Sequence, residues 1–519
     1  MRPPRTALRT SLIASAVCAG LAISSASAGA IPGPAAPGGA IDGPALAKQL
    51  DRKVNVDNVQ RHLRALQRIA DANGGNRAAG SKGYDASVEY VAGKLRDAGF
   101  DVTTPTFTYD EEVIDAGLVD AGGLKATADP LEFSPNTAVG GISGPLVVVP
   151  EDGTPGCETS DFAGLPISGA VVLIRRGACS FAQKQLNAAG LGAKAVIISD
   201  NSDTGPEGWT LGDAASAKVP TGGVSKAEGT ALAAKAGAAT TVDLRVHTEQ
   251  RTNRNVVAQT RTGRVDNVVM AGAHLDSVGL GPGINDNGTG SAALLETALQ
   301  LGGTAKVKNA VRFAWWGAEE LGLVGSTKYV QSLDFEQQVD IALYLNFDMV
   351  GSPNAAYFVY DGDNSDNTGA GPGPYGSAQI EKTFVDYFAA RGIPSEGTDF
   401  SGRSDYGEFI KVGIPAGGLF TGAEGIKTAA QAEKWGGQAD VAYDKCYHKA
   451  CDNLGNIDRT ALNRNSGAIA WSVGVYATST EDVNGVPSRA VRKNARLAAL
   501  RSAPALKLAK PHAHDHVTA

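Results

Sequence analysis

NVVMAGAHLD, residues 267–276, is the stretch on which the fold turns. A short continuous apolar run bounded by polar residues suits a strand buried on both faces, and this one delivers His274 and Asp276 at its carboxyl end. Residues 288–301 then read as a helix. AVRFAWWGAEE (310–320) reads as a second strand running into a turn at Glu319 and Glu320, and IALYLNFDMVG (341–351) as a third ending at Asp348. Strand, helix and strand in repetition place the chain in the α/β class, as a mixed, mostly parallel sheet sandwiched by helices. Function in such sheets sits at the carboxyl ends of the strands. No internal repeat of 20–50 residues is visible.

The residues delivered there suit a metal. His274, Asp286 in GINDNGTG, Glu320 in WWGAEELGL, Asp348 in LNFDMVG and His448 in CYHKAC offer two imidazoles and three carboxylates, with Glu319, Asp276 and Tyr447 beside them. Two zinc ions about 3.5–4 Å apart repel, so they need an anionic bridge and a further carboxylate each, with neutral imidazole completing the shell. An all-oxygen calcium or magnesium site would not recruit histidine. Each residue has a plainer reading by itself: a solvated Glu-Glu pair, Asp348 as a helix N-cap, His448 in a surface loop. One site explains them all, in order.

These motifs and their order resemble the secreted bacterial di-zinc aminopeptidases, relatives of the leucine-preferring zinc exopeptidases. The resemblance spans residues 54–480 with one interruption, and is closest from GRSDYGEFIKVGIPAGGLFTGAEG (402–425) through CYHKACDNLGNID (446–458). It implies the zinc exopeptidase fold and two Zn2+ per chain, with His274 and Asp348 on one zinc, Glu320 and His448 on the other, and Asp286 bridging. Asp276 then accepts the other ring N–H of the liganding histidine. With Glu320 spent on a metal, Glu319 is left to serve as general base to the attacking water. The resemblance further implies Tyr447 as hydrogen-bond donor to the tetrahedral oxyanion and places Arg403 and Phe420 at the substrate end. Some members hold calcium through acidic side chains near the domain's C-terminus; Asn463 and Gly467 fall at those positions here, so calcium is not carried over.

Arg2, Arg5 and Arg9, an apolar stretch over residues 11–23 and Ala26-Ser27-Ala28 read as a secretory signal peptide, residues 1–28. Valine precedes Cys18 and no leucine stands three residues before it, which argues against a lipoprotein anchor. Loss of the signal moves the formal net charge from −7 to −10 by removing three arginines and no acids. That balance excludes a nucleic-acid partner and favours solubility. A secreted, extracellular monomer acting on peptide substrates, with no membrane attachment after processing, is expected. Four cysteines remain, and in an oxidising compartment they admit three disulfide pairings. Proximity favours Cys157–Cys179 and Cys446–Cys451, the second closing a loop around Tyr447 and His448.

The mature length exceeds what one hydrophobic core usually serves. Residues 29–44, rich in Gly, Pro and Ala, read as a linker or propeptide remnant. Residues 45–72 and 81–98 show helical spacing, and 99–109 reads as a strand. The zinc peptidase pattern over 45–129 and 247–480 is interrupted by 130–246, where short apolar runs alternate with helical stretches. Gly177, Cys179, Phe181, Lys184, Asn187, Ala188 and Gly190 make this insert similar to the protease-associated domain, read as a lid, a recognition module or a structural element. Residues 481–519 form a basic tail in which 488–519 hold seven Lys or Arg against one Asp, ending near His512, His514 and His516. It reads as a removable segment or a surface-attached helix.

The expected activity is removal of an N-terminal residue, apolar such as Leu, from peptides and proteins. Two alternatives stand beside it. One is a carboxypeptidase-like or glutaminyl-cyclase-like zinc enzyme of the same fold, and the other a non-catalytic peptide-binding protein.

Overall fold

The computed structural model describes residues 43–502, apart from 203, 204, 207, 368, 370 and 481–485. The signal peptide, the linker up to residue 42 and the terminal histidines lie outside the described residues.

The central eight-stranded sheet runs, edge to edge, Asp101–Thr103, Val256–Gln259, Asn309–Trp316, Arg264–His274, Ile341–Phe347, Ala416–Phe420, Phe358–Tyr360 and Glu396–Thr398. The four middle strands are parallel to one another. The flanks add antiparallel pairs, at Val256–Gln259 against Asn309–Trp316 and at Phe358–Tyr360 against Ala416–Phe420.

Alternation along each strand decides which residues meet which helices. Val269, Ala271, Phe313, Trp315, Leu343 and Leu345 pack to one side with helices Val56–Ala72, Lys82–Asp97, Gly290–Leu301 and Arg459–Tyr476. Met270, Ala314, Trp316 and Tyr344 pack to the other with Val330 and Phe409, from helices Val324–Ser332 and Gly407–Lys411. Because both faces are covered, the strands read as unbroken apolar runs.

Helix ends follow local chemistry. The helical spacing over 45–72 resolves into two helices, Gly43–Lys53 and Val56–Ala72, because Asn55 is extended and its side chain accepts the Asn58 N–H as an N-cap. Pro105, which has no N–H for a sheet ladder, divides the strand expected over 99–109 into Asp101–Thr103 and Thr106–Ala121.

A second eight-stranded sheet holds the insert, with parallel strands Ile142–Val148, Val171–Arg175, Ala195–Ser199 and Thr221–Val224 at its centre. Val172, Ile174, Val196 and Ile198 face one apolar cluster and Leu173 and Ile197 the other. This sheet begins before residue 130. Thr106–Ala121 pairs along its length with Ala239–Arg254, and the two strands form a long antiparallel ribbon from the edge of the central sheet into the second one.

In the tail, Arg489–Ser502 is a helix lying along Phe335–Asp340. Arg489 pairs with Asp340 at 2.7 Å and Glu336 at 2.9 Å, while buried Arg492 donates to the carbonyls of Pro487 and Val339. The positions considered for calcium do other work. Asn463 Oδ1 accepts the Val56 N–H at 3.0 Å, and a Cβ at Gly467 would collide with the Tyr387 hydroxyl.

Candidate metal centre

Three parallel strands end side by side and bring His274, the Glu319–Glu320 turn and Asp348 to one crevice. Asp286 enters from residues 284–289, whose Asp286–Asn287 peptide is cis, and His448 from the loop closed by Cys446–Cys451. The second disulfide, Cys157–Cys179, lies in the insert.

His274 Nε2 lies 3.2 Å from Asp286 Oδ1 and 3.3 Å from Asp348 Oδ1. His448 Nε2 lies 3.2 Å from Asp286 Oδ2 and 3.1 Å from Glu320 Oε2. Asp286 therefore turns one oxygen to each imidazole. Glu319 stands further back, its Oε2 3.9 Å from His274. Ligands bonded to one tetrahedral zinc at 2.0–2.1 Å are themselves about 3.3 Å apart. The donor pairs here stand at that spacing. Asp348 Oδ1, buried with no hydrogen-bond partner, is free to complete such a shell. The residues fit bound metal.

The backbone is strained where it presents this set. Ala318, Met349 and His448 have φ of +56°, +48° and +55°, a region that costs a non-glycine residue about 1–3 kcal/mol and persists where surrounding contacts enforce it. Each is at or beside a site residue.

Electrostatics point the same way. Burial alone would lower the His274 imidazole, yet Asp348 and Glu319 hold it well above the usual range. His448, with Glu320 and Asp286 outweighing its burial, is pushed up to about 11. Against the upward push of burial, the two histidines hold Asp286 well below an ordinary carboxylate. Burial raises Glu319 well above its usual value, with Asp405 and Asp348 adding to the rise. A pocket that draws protons onto both imidazoles is one that calls for cations.

The cleft over these groups has a volume of about 170 Å³, with Asp286, Glu319, Glu320, Asp348, Arg403, Phe420 and Tyr447 among its lining residues. The candidate metal-ligating, catalytic and substrate-end residues singled out in the sequence thus converge here or directly beneath. Tyr447 stacks on His448 at 3.9 Å between ring centroids, and burial raises its phenol well above the normal range. Arg403 pairs with Glu424 at 3.1 Å and interacts with Tyr447.

Asp276 lies against the His274 ring, its carboxylate 3.7 Å from Nδ1 and its backbone carbonyl at 3.2 Å. The carboxylate also accepts the amides of Glu319 at 3.2 Å and Glu320 at 3.3 Å, shaping the turn that carries them.

Several supporting residues escaped the sequence reading. Ser404 donates to Asp348 Oδ2 at 2.6 Å and is itself held by Asn346 Nδ2 at 2.8 Å. Asp405, buried beside Ser326, is pushed up to about 8 by burial. Arg77, fully buried, donates to the carbonyls of Leu275, Pro282 and Gly283, and burial lowers its pKa to about 10. A polar residue within otherwise ordinary sequence gives no sign of such partners. For Ser404 and Asn346, adjacency to the motifs was the one available signal.

Fold and centre together define a metal-dependent hydrolase built on the zinc exopeptidase fold. The chain belongs to peptidase family M28, which matches residues 255–473, and it carries a PA domain, matching residues 142–232. It is 53% identical over 449 residues to the probable lipoprotein aminopeptidase LpqL of Mycobacterium tuberculosis, covering 86% of this chain and 90% of the relative. It is 41% identical over 446 residues to leucine aminopeptidase 2 of Trichophyton rubrum, covering 85% and 87%. Among solved structures, BSAP, a zinc aminopeptidase from Bacillus subtilis, shares the fold with a TM-score of 0.66 at 24% identity, over 83% of this chain and 98% of that one.

Proposed function

We propose that the chain is a zinc-dependent aminopeptidase, holding two zinc ions and removing apolar N-terminal residues such as leucine from peptides and proteins. The observation that carries this reading is Asp286, turned to His274 through one oxygen and to His448 through the other. His274 and Asp348 would hold one zinc, Glu320 and His448 the other, and Asp286 both. Bound there, zinc supplies Lewis acidity and lowers the pKa of a water at the site.

The chain's own residues do the rest. Glu319 accepts the proton of the attacking water and returns it to the leaving amine. The Tyr447 hydroxyl donates to the oxyanion as the carbonyl becomes tetrahedral. Glu319 and Asp348 meet the free α-ammonium group of the substrate, which restricts cleavage to the chain end. Phe420, Met349, Tyr360 and Ala423 line the cleft and receive an apolar side chain.

Two disulfides and an acidic balance support an exported protein. Among the described residues no helix is long and apolar enough to cross a membrane. A monomer is proposed.

The test is hydrolysis of leucine p-nitroanilide and its N-acetyl derivative, with zinc counted by mass spectrometry. Two zincs per chain, cleavage of the free amine alone, loss on chelation and recovery with zinc are expected. Equal cleavage of both substrates would sink the exopeptidase claim.

A further inference from the structure

The loop that carries Tyr447 and His448 is locked to the segment that carries Asp286 through one buried carboxylate. Asp452, 2% exposed, accepts the Asn285 N–H on Oδ1 at 2.8 Å and the Asp286 N–H on Oδ2 at 3.0 Å. Its backbone carbonyl accepts the Ile284 N–H at 3.1 Å. Three successive amides therefore end on a single residue. Asp452 directly follows Cys451, whose disulfide to Cys446 closes the loop, and it stands four residues from His448.

A second acid braces the other end of the loop. Asp444 accepts the Asn285 side-chain N–H at 2.7 Å and the Cys446 N–H at 2.7 Å. Asn456 donates to Asp444 at 2.9 Å and to Asp452 at 3.1 Å, tying the two carboxylates together. Arg77 in turn donates to the carbonyls of Pro282 and Gly283. The stretch 282–286 is thus gripped by a guanidinium on its carbonyls and a carboxyl group on its amides.

We infer that Asp452 is a positioning residue that sets the distance between Asp286 and His448, and so builds the half of the centre formed by Asp286, Glu320 and His448. This rests on the two-zinc reading above. Packing alone does not require a buried carboxylate here, since burying one is costly unless its oxygens are hydrogen-bonded. Both of its oxygens are engaged, on the amides of the proposed bridging residue and its neighbour. Groups that orient metal ligands from behind are worth about 10–100-fold in metal affinity or activity.

The experiment is zinc titration of the full chain against a competing chelator, with cobalt absorption as a second readout, for wild type, Asp452→Asn and Asn456→Ala. Asp452→Asn is nearly isosteric but offers one acceptor oxygen where two amides need one each. It should lower affinity for the zinc proposed at Glu320 and His448 by about 10–100-fold, weaken the other less because His274 and Asp348 stay in place, and lower kcat for leucine p-nitroanilide with KM little altered. Asn456→Ala removes only the brace and should produce a smaller fall at the same zinc, which keeps the inference testable should Asp452→Asn fold poorly. Wild-type affinities for both zincs in Asp452→Asn, or equal weakening of both, would overturn the inference. A wild type that takes up a single zinc overturns the two-zinc reading and the inference with it.

Discussion

Glu319 is the residue whose removal should separate chemistry from metal binding. In Glu319→Ala the five proposed ligands are intact, so kcat should fall by about 10²–10⁴-fold while zinc content, counted by mass spectrometry, matches wild type. A parallel loss of zinc would make Glu319 a ligand instead. Its distance from His274, 3.9 Å against 3.2 and 3.3 Å for Asp286 and Asp348, suits a group proposed to serve the water and not the metal. At this scale the sequence was most legible where an apolar run ends in a polar residue, as with His274, Glu319 and Asp348. Asp276 shows the limit. The family resemblance implied that it supports the His274 ring, but nothing in the sequence showed that its carboxylate would also accept the two amides of the Glu319–Glu320 turn.

Burial decides which contacts matter in the elements. On the helix Arg489–Ser502, Arg489 pairs near the surface with Glu336 and Asp340, whereas Arg492 is 3% exposed and serves the carbonyls of Pro487 and Val339. Arg489→Ala should cost about 0–1 kcal/mol, and Arg492→Ala about 1–3 kcal/mol, read from denaturant unfolding. Equal costs would mean the helix is not docked in solution. Glu381, on helix Ser377–Ala389, is pushed up to about 7 by burial, with Asp361 and Asp363 adding to it. Its folded pKa lies above the unfolded value of 4.5, so its contribution to stability is complete below pH 4.5 and is lost as pH rises through 7. Glu381→Gln should therefore melt higher than wild type at pH 8 and level with it at pH 4.5, by calorimetry. A difference that persists unchanged at low pH would refute the charge argument. The tail's composition suggested a helix, but its docking depends on Glu336, Asp340 and Val339, some 150 residues away.

For the molecule as a whole, the two sheets keep separate apolar clusters and are joined by the ribbon of Thr106–Ala121 with Ala239–Arg254. Asp110 pairs directly with Gln250, so an Asn-Gly turn joining them would excise the insert at a matched register. The shortened chain should fold and bind zinc, with kcat/KM for leucine p-nitroanilide within about tenfold of wild type if domains fold as units. Failure to fold, seen by circular dichroism, would make the insert part of the peptidase core's stability. Sequence by itself determined the class of fold and, with the family resemblance, pointed to residues that the structure brings together, because strand periodicity and the ends of apolar runs are local properties that survive without knowledge of neighbours. It also pointed by proximity to the disulfide partners that the structure joins, since residues so close along the chain have little else to meet. Only the tertiary structure decided how Asp286 divides its oxygens, that Asp452 and Arg77 grip the segment beneath it, and that the ribbon belongs to the second sheet. Those contacts join residues up to about 200 positions apart, and a buried polar side chain takes whichever donor or acceptor the packed chain brings to it.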